Sequence, residues 1–419
     1  MKIRHTLLLP LLYSFAGLTA NAQAHLQDSP EYHKIASIVE EIKTKYAPDK
    51  RTALFELRLL DKSASSTHYE VTTTEPEALD AFRQRLADHH LSKTKITINL
   101  LPDNSVEENV SGAANLSVAN LRVQPRNQAE LASQVLLGTV VDLLQRQDGY
   151  YRARTPEGYI GWVAVSSITP MTSAEVKQWK SAKKIIFTAD FGHSYTQPDR
   201  QSLRVSDLVM GDLLIALGQA DGFYHVQYPD GRRAYIDNAL VRPFDAWLGT
   251  RDVTSENILA IAKSMMGVPY LWGGTSVKGV DCSGFTKTAY FMNGIVIPRD
   301  ASQQVLVGEP LDILSADTLD TEKALQNLQP ADLLFFASGN GRSPDARITH
   351  VALYLGNGEF IHAAGTVRIN SMLPNAPNYS DFQSRTLVSA RRYIGQEDPG
   401  LQAVATNPFY QSVAEENHP

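Results

Sequence analysis

Two stretches of this 419-residue chain, QPRNQAELASQVLLGTVVDLLQRQDGYYRARTPEGYIGWV and QPDRQSLRVSDLVMGDLLIALGQADGFYHVQYPDGRRAYI, align without a gap at an offset of 73 residues. Pro125 meets Pro198, Gly138 meets Gly211, Asp148-Gly149 meets Asp221-Gly222, and Trp162 meets Tyr235. Such a repeat requires two copies of one small fold. Short alternating strands punctuated by Gly and Asp-Gly turns, in a unit too short for a sandwich, predict two small β-barrels. Two copies are too few for a solenoid. Glu130 falls opposite Leu203 and Tyr159 opposite Arg232, so only the first copy carries this acid and phenol.

The flanking segments read as mixed α and β. Before the repeat, a Ser-Pro start with Ile35, Ile38, Val39 and Ile42 on one face predicts a helix over 29–46. Strand-like RTALFELRLL and THYEVTTT, a helix near 77–87 and the strand KITINLLP complete a small α+β module, and polar DNSVEENVSGAAN marks a boundary. After the repeat, TSENILAIAKSMMG predicts a helix capped by Thr254 or Ser255 and stopped by Gly267. A Gly-rich loop, VPYLWGGTSVKGVDC, then leads into a second helix, SGFTKTAYFMNG.

Cys282, the sole cysteine, therefore stands at a helix N-terminus, where unpaired N–H groups and the dipole favour a thiolate and where the N–H groups of Cys282 and Ser283 can receive an oxyanion. Downstream, ITHVALYL and EFIHAA flank Gly356-Asn357-Gly358, a hairpin signal. Position 356 is midway between His350 and His362, so the two rings are expected to face each other across the ribbon, His350 as base and His362 as the residue that orients it. A thiol, a base and an orienting partner make a cysteine nucleophile. One Cys and two His without a close-spaced fourth ligand do not make a zinc site, and the chemistry calls for neither metal nor cofactor.

The segments PYLWGG, DCSGF, IPRDASQQ, ADLLFF, THVALYLG and FIHAAG, in this order, resemble the NlpC-type cell-wall peptidases, papain-like α+β cysteine enzymes that cleave peptidoglycan stem peptides. The resemblance covers about residues 250–395 and implies Cys282 as nucleophile, His350 as base and His362 as third polar residue. Ala331 stands where members commonly carry a turn glycine. The repeats resemble bacterial SH3-like domains. The whole mature chain is similar to a subgroup that pairs two such domains with this enzyme and releases L-Ala-γ-D-Glu from peptides with a free amino end. That likeness implies that Glu130, Tyr159 and Asp281 hold the substrate amine, with Tyr150 and Tyr151 close rivals of Tyr159. Ser283, Arg299 and Asp300 are further candidates for substrate or loop contacts. An inactive wall-binding protein and an acyl- or peptidyl-transferase are the competing readings.

Residues 1–22 have a basic start (Lys2, Arg4), an apolar stretch and Ala20-Asn21-Ala22, the pattern of a signal peptide cut before Gln23; the stretch is too short to span a membrane. The chain is thus expected to be exported, periplasmic or secreted, without membrane insertion in the mature form. A lone cysteine excludes internal disulfides. Loss of two basic residues takes the formal net charge from -6 to -8, and no basic run points to nucleic acid. The expected multidomain α+β architecture is a signal peptide (1–22), an N-terminal α+β module (23–110), two SH3-like barrels (111–172 and 173–246), a papain-like NlpC-type domain (247–395) and a tail (396–419). Its partners would be peptidoglycan stem peptides or muropeptides.

Overall fold

The computed structural model describes residues 29–63, 66–338, 346–379 and 385–411; the expected leader lies outside them, as does the end of the tail. Two compact units meet at the Leu101–Pro102 bond. In the first, helix Pro30–Tyr46 starts where the Ser29 hydroxyl accepts the Tyr32 N–H, with Pro at a position that needs no donor. Its Ile35, Ile38, Val39 and Ile42 pack with Phe55, Tyr69, Val71 and Phe82. Strands Phe55–Ser63 and Ser66–Thr73 are antiparallel; Lys95–Leu100 runs parallel to the second, and helix Glu77–Asp88 makes the crossover that a parallel pair requires.

The repeat in the second unit is exact at the level of strands. The first sheet has strands Ser111–Ala114, Val118–Arg122, Leu131–Leu136, Val140–Gln147, Tyr150–Arg154, Ile160–Ala164 and Ile168–Met171, and each has a counterpart 73 residues on, from Lys184–Phe187 to Val241–Pro243, joined in the same order. Asp148-Gly149 and Asp221-Gly222 both take the left-handed conformation of tight hairpin turns. The first barrel begins earlier than position 111. The Asp103 N–H bonds to the Leu144 carbonyl and Val106 enters the barrel core, so the start of the polar segment is anchored to the barrel.

The last part is an antiparallel sheet of six strands, in the order Glu309–Pro310, Arg385–Arg392, Leu333–Ser338, Ile348–Gly356, Glu359–Ala364 and Thr366–Ser371. Helix Cys282–Phe291 packs on one face, burying Phe285 and Ala289 against Val351, Leu353, Ile361 and Ala363. Ala331, in the turn before Leu333–Ser338, has φ +73°, the left-handed conformation that a glycine would take without strain. The described part of the tail lies on its neighbours. Gln402–Ala403 pairs with Ile295–Val296, the Asn407 amide donates to the Pro156 carbonyl of the first barrel, and Tyr410 packs on Phe291. No helix among the described residues is long and apolar enough to cross a membrane.

Candidate active site

Asp281 caps the helix that presents Cys282: its Oδ1 accepts the Gly284 N–H at 2.7 Å. The strand Ile348–Gly356 passes over the sulfur, and the N–H groups of Val351 and Ser283 both point at Sγ. Cys282 is nevertheless only 7% exposed. Burial pushes the thiol up to about 11 and the Asp281 carboxylate adds to this; the Val351 N–H, Arg299 and the Ser283 N–H pull the other way. Burial thus works against the thiolate that the helix end favours, because desolvation outweighs the N–H groups.

The histidines meet, but not as direct opposites. Leu353 pairs with Ile361 and Tyr354 with Phe360: the pair Gly356–Glu359 centres the turn between Asn357 and Gly358, and the bulge between Tyr354 and Gly356 recovers only one residue of that offset, which sets the rings on a diagonal. His350 Nε2 and His362 Nδ1 are 2.8 Å apart. The protons on this pair follow from what lies behind it. Asn370 donates its amide N–H to the Asn378 carbonyl at 2.9 Å, so its Oδ1 faces His362 Nε2, also at 2.9 Å. An amide oxygen only accepts, so Nε2 of His362 carries the proton and Nδ1 accepts from His350 Nε2. The Nδ1 of His350 is then the bare nitrogen. Both imidazoles are neutral: burial, then His362, Arg385 and Arg368, hold His350 well below 6.5, and burial brings His362 down to about 4. Among the described residues no hydrogen bond joins the thiol to His350; the link between them is the strand itself, through Val351.

The first barrel packs on the loop that leads to Cys282. Its Gln134 accepts the Thr275 N–H at 2.8 Å, and Gly273 lies so close to Leu131 that a Cβ would fall 2.5 Å from its carbonyl oxygen. Exposed Glu130 accepts from the indole N–H of Trp272 at 2.8 Å. Tyr159, buried, reaches Asp300 Oδ2 at 3.4 Å, whereas Tyr150 bonds to Asn127 and Tyr151 packs in the barrel core. Asp281, expected as an amine ligand, is instead occupied. Besides Gly284 it accepts from the Gly273 N–H and from both terminal nitrogens of Arg299. Ser283 Oγ accepts from Arg299 at 3.0 Å, and Asp300 caps helix Ala301–Gln304. Glu130 thus touches the loop before Cys282 and Tyr159 touches Asp300, while Asp281 and Ser283 are held by Arg299.

Sequence reasoning missed Tyr270, Asn370 and Trp272. Tyr270 is pinned by its N–H to the Gly365 carbonyl, and burial, followed by the adjacent Cys282 and Asp281, holds its phenol above the ordinary value, so it stays a donor beside the sulfur. Asn370 left no signal, since it stands eight positions from His362, on the next strand.

Residues 267–389 match the NlpC/P60 family and residues 121–168 the bacterial dipeptidyl-peptidase SH3 domain. The chain is 29% identical over 279 residues to a gamma-D-glutamyl-L-lysine dipeptidyl-peptidase of Bacillus cereus, a match covering 64% of this chain and 77% of that one. It is 27% identical over 281 residues to dipeptidyl-peptidase 6 of Lysinibacillus sphaericus, covering 65% and 95%. The crystal structure of an NlpC/P60 family protein from Bacillus cereus shares the fold, with a TM-score of 0.55 at 24% identity over 68% of this chain and 99% of that one.

Proposed function

From the premise that the chain carries an NlpC/P60 cysteine peptidase domain with a bacterial SH3 domain before it, we propose that it is an exported enzyme that hydrolyses the γ-D-Glu-diamino acid bond of peptidoglycan stem peptides and releases L-Ala-γ-D-Glu from those with a free amino end. The name of the Bacillus cereus relative, a gamma-D-glutamyl-L-lysine dipeptidyl-peptidase, supports the bond cleaved. The observation that carries the free-amine reading is the first barrel's delivery of Glu130 and Tyr159 to the loops that flank Cys282. A carboxylate there suits an ammonium, and a wall behind it would exclude longer chains.

In this mechanism Cys282 Sγ attacks the γ-carbonyl carbon of D-Glu while its proton passes to Nδ1 of His350. His362, held by Asn370, accepts the His350 Nε2–H and steadies the imidazolium that forms. The Tyr270 hydroxyl and the N–H groups at the helix start are the donors for the oxyanion. Collapse breaks the C–N bond, and the proton moves from His350 to the leaving amine. Water, deprotonated by the same nitrogen, then cleaves the thioester and returns the thiol.

The deciding experiment compares L-Ala-γ-D-Glu-diamino acid with its N-acetylated form. The acetylated peptide is expected to be cleaved poorly, Glu130→Gln to raise KM for the free-amine peptide about tenfold, and Cys282→Ala to abolish turnover. Equal cleavage of both peptides would remove the amine reading.

A further inference from the structure

Arg299 is 1% exposed, and its guanidinium joins three separate parts of the chain. Nη1 and Nη2 grip the Asp281 carboxylate at 3.1 and 2.7 Å, Nη1 also donates to Ser283 Oγ at 3.0 Å, and Nε donates to Ser133 Oγ on the first barrel at 2.9 Å. Burying a guanidinium costs several kcal/mol unless it is paired and fully bonded, so the arrangement needs a reason. Helix capping does not supply one. A neutral Asn or Ser at 281 would accept the Gly284 N–H about as well, without placing a negative charge next to the nucleophile.

We propose that Arg299 is a positioning residue for the Cys282 chemistry: anchored by Ser133 of the first barrel, it neutralises the Asp281 carboxylate beside the sulfur and so makes nucleophile competence depend on that barrel being docked. This rests on Cys282 being the nucleophile. The groups that face the sulfur are Asp281 on its own helix, Arg299, Tyr270 from the Gly-rich loop, and from the hairpin the Val351 N–H, with His350 and His362 behind it. Arg368 and Arg385 act on the imidazoles, and Asp300 and Tyr159 on Arg299. Of the charges acting on the sulfur, Asp281 opposes ionisation and Arg299 favours it. The fork therefore serves a chemical end as well as a structural one.

The test is the rate of Cys282 alkylation by iodoacetamide in the full chain between pH 7 and 9. Arg299→Met is expected to slow it about tenfold for each unit by which the thiol is pushed up. The double variant Asp281→Asn/Arg299→Met should return it to within about threefold of the parent, a rescue that a purely structural loss would not show. Ser133→Ala should fall between. An unchanged rate in folded Arg299→Met, or no rescue in the double variant, overturns the proposal. If Arg299→Met does not fold, Asp281→Asn alone decides: about tenfold faster alkylation supports it, and an equal or slower rate overturns it. These rates do not depend on which peptide is cut. Failure of the nucleophile reading shows separately, as peptide hydrolysis surviving in Cys282→Ala.

Discussion

A thiol held at about 11 and an imidazole held below its usual range make a testable statement about protonation. At pH 7 such a thiol is ionised to about one part in ten thousand, whereas an ordinary cysteine near 8.5 is ionised to about three per cent. The free enzyme should therefore hold a neutral pair, with proton transfer to His350 Nδ1 occurring during attack and not before it. Raising the pH from 5 to 9 is the perturbation. The thiolate absorbance of the parent minus that of Cys282→Ala should be absent at pH 7, and the alkylation rate should rise about tenfold per pH unit from 7 to 9 without levelling off. The kcat/KM profile should instead be flat through pH 6.5 and fall only further into acid, because His350 is an active base above its own, lowered value. A thiolate band at pH 7, with alkylation already at a plateau, would refute the reasoning, since it would mean that a charged sulfur is tolerated where burial should forbid it.

Three further outcomes are expected. His362 is buried neutral at about 4 against an unfolded value near 6.5, so it contributes stability that is fully present above 6.5 and is lost as pH falls through 4; the full loss is about 3 kcal/mol, with His350 acting in the same direction. Urea midpoints should drop between pH 7 and 4.5, and His362→Gln should flatten that dependence; an identical slope in the variant would rule the histidine out as its source. Gly273→Ala combines φ +77° with a Cβ 2.5 Å from the Leu131 carbonyl oxygen, so it should cost about 2 kcal/mol or more and reduce kcat/KM by displacing the barrel. A melt and a turnover rate equal to the parent's would show that this contact does not seat the barrel. Truncation after Val404 removes the Asn407 and Tyr410 contacts between the tail, the first barrel and helix Cys282–Phe291, and should lower the thermal midpoint by several degrees in calorimetry; an unchanged midpoint would make the tail a passenger.

How far the sequence could be read depends on whether a feature is local. The 73-residue offset carried over to all seven strands of each barrel because turn glycines and alternating side chains are short-range constraints. The helix start at Cys282 and the ribbon bearing both histidines were equally local. The bulge before Gly356 was not legible: Leu355, the extra residue, looks like any other strand residue while it moves the register. Asn370 and Tyr270 are supplied by neighbouring elements, so no spacing in the sequence announces them. Arg299 and Asp281 were visible as residues, but their fork was not, because they stand 18 positions apart with a helix and a loop between them.

The protonation of Cys282 shows the same limit in energetic terms. A helix N-terminus favours an anion by about 0.3–1 kcal/mol, and by up to about 2 in partly buried geometry. Against that, holding a thiol at about 11 instead of 9 corresponds to roughly 3 kcal/mol in favour of the neutral form. The first quantity can be read from a capping pattern such as Asp281-Cys282; the second is set by side chains drawn from the Gly-rich loop, the helix and the histidine ribbon, which only the folded chain assembles. Sequence therefore nominated the sulfur of Cys282, and tertiary burial pushes that sulfur toward its neutral form. A peptidase that used this sulfur would obtain its nucleophile by coupling proton transfer to attack, which would make the orientation of His350, through His362 and Asn370, as consequential as the sulfur itself.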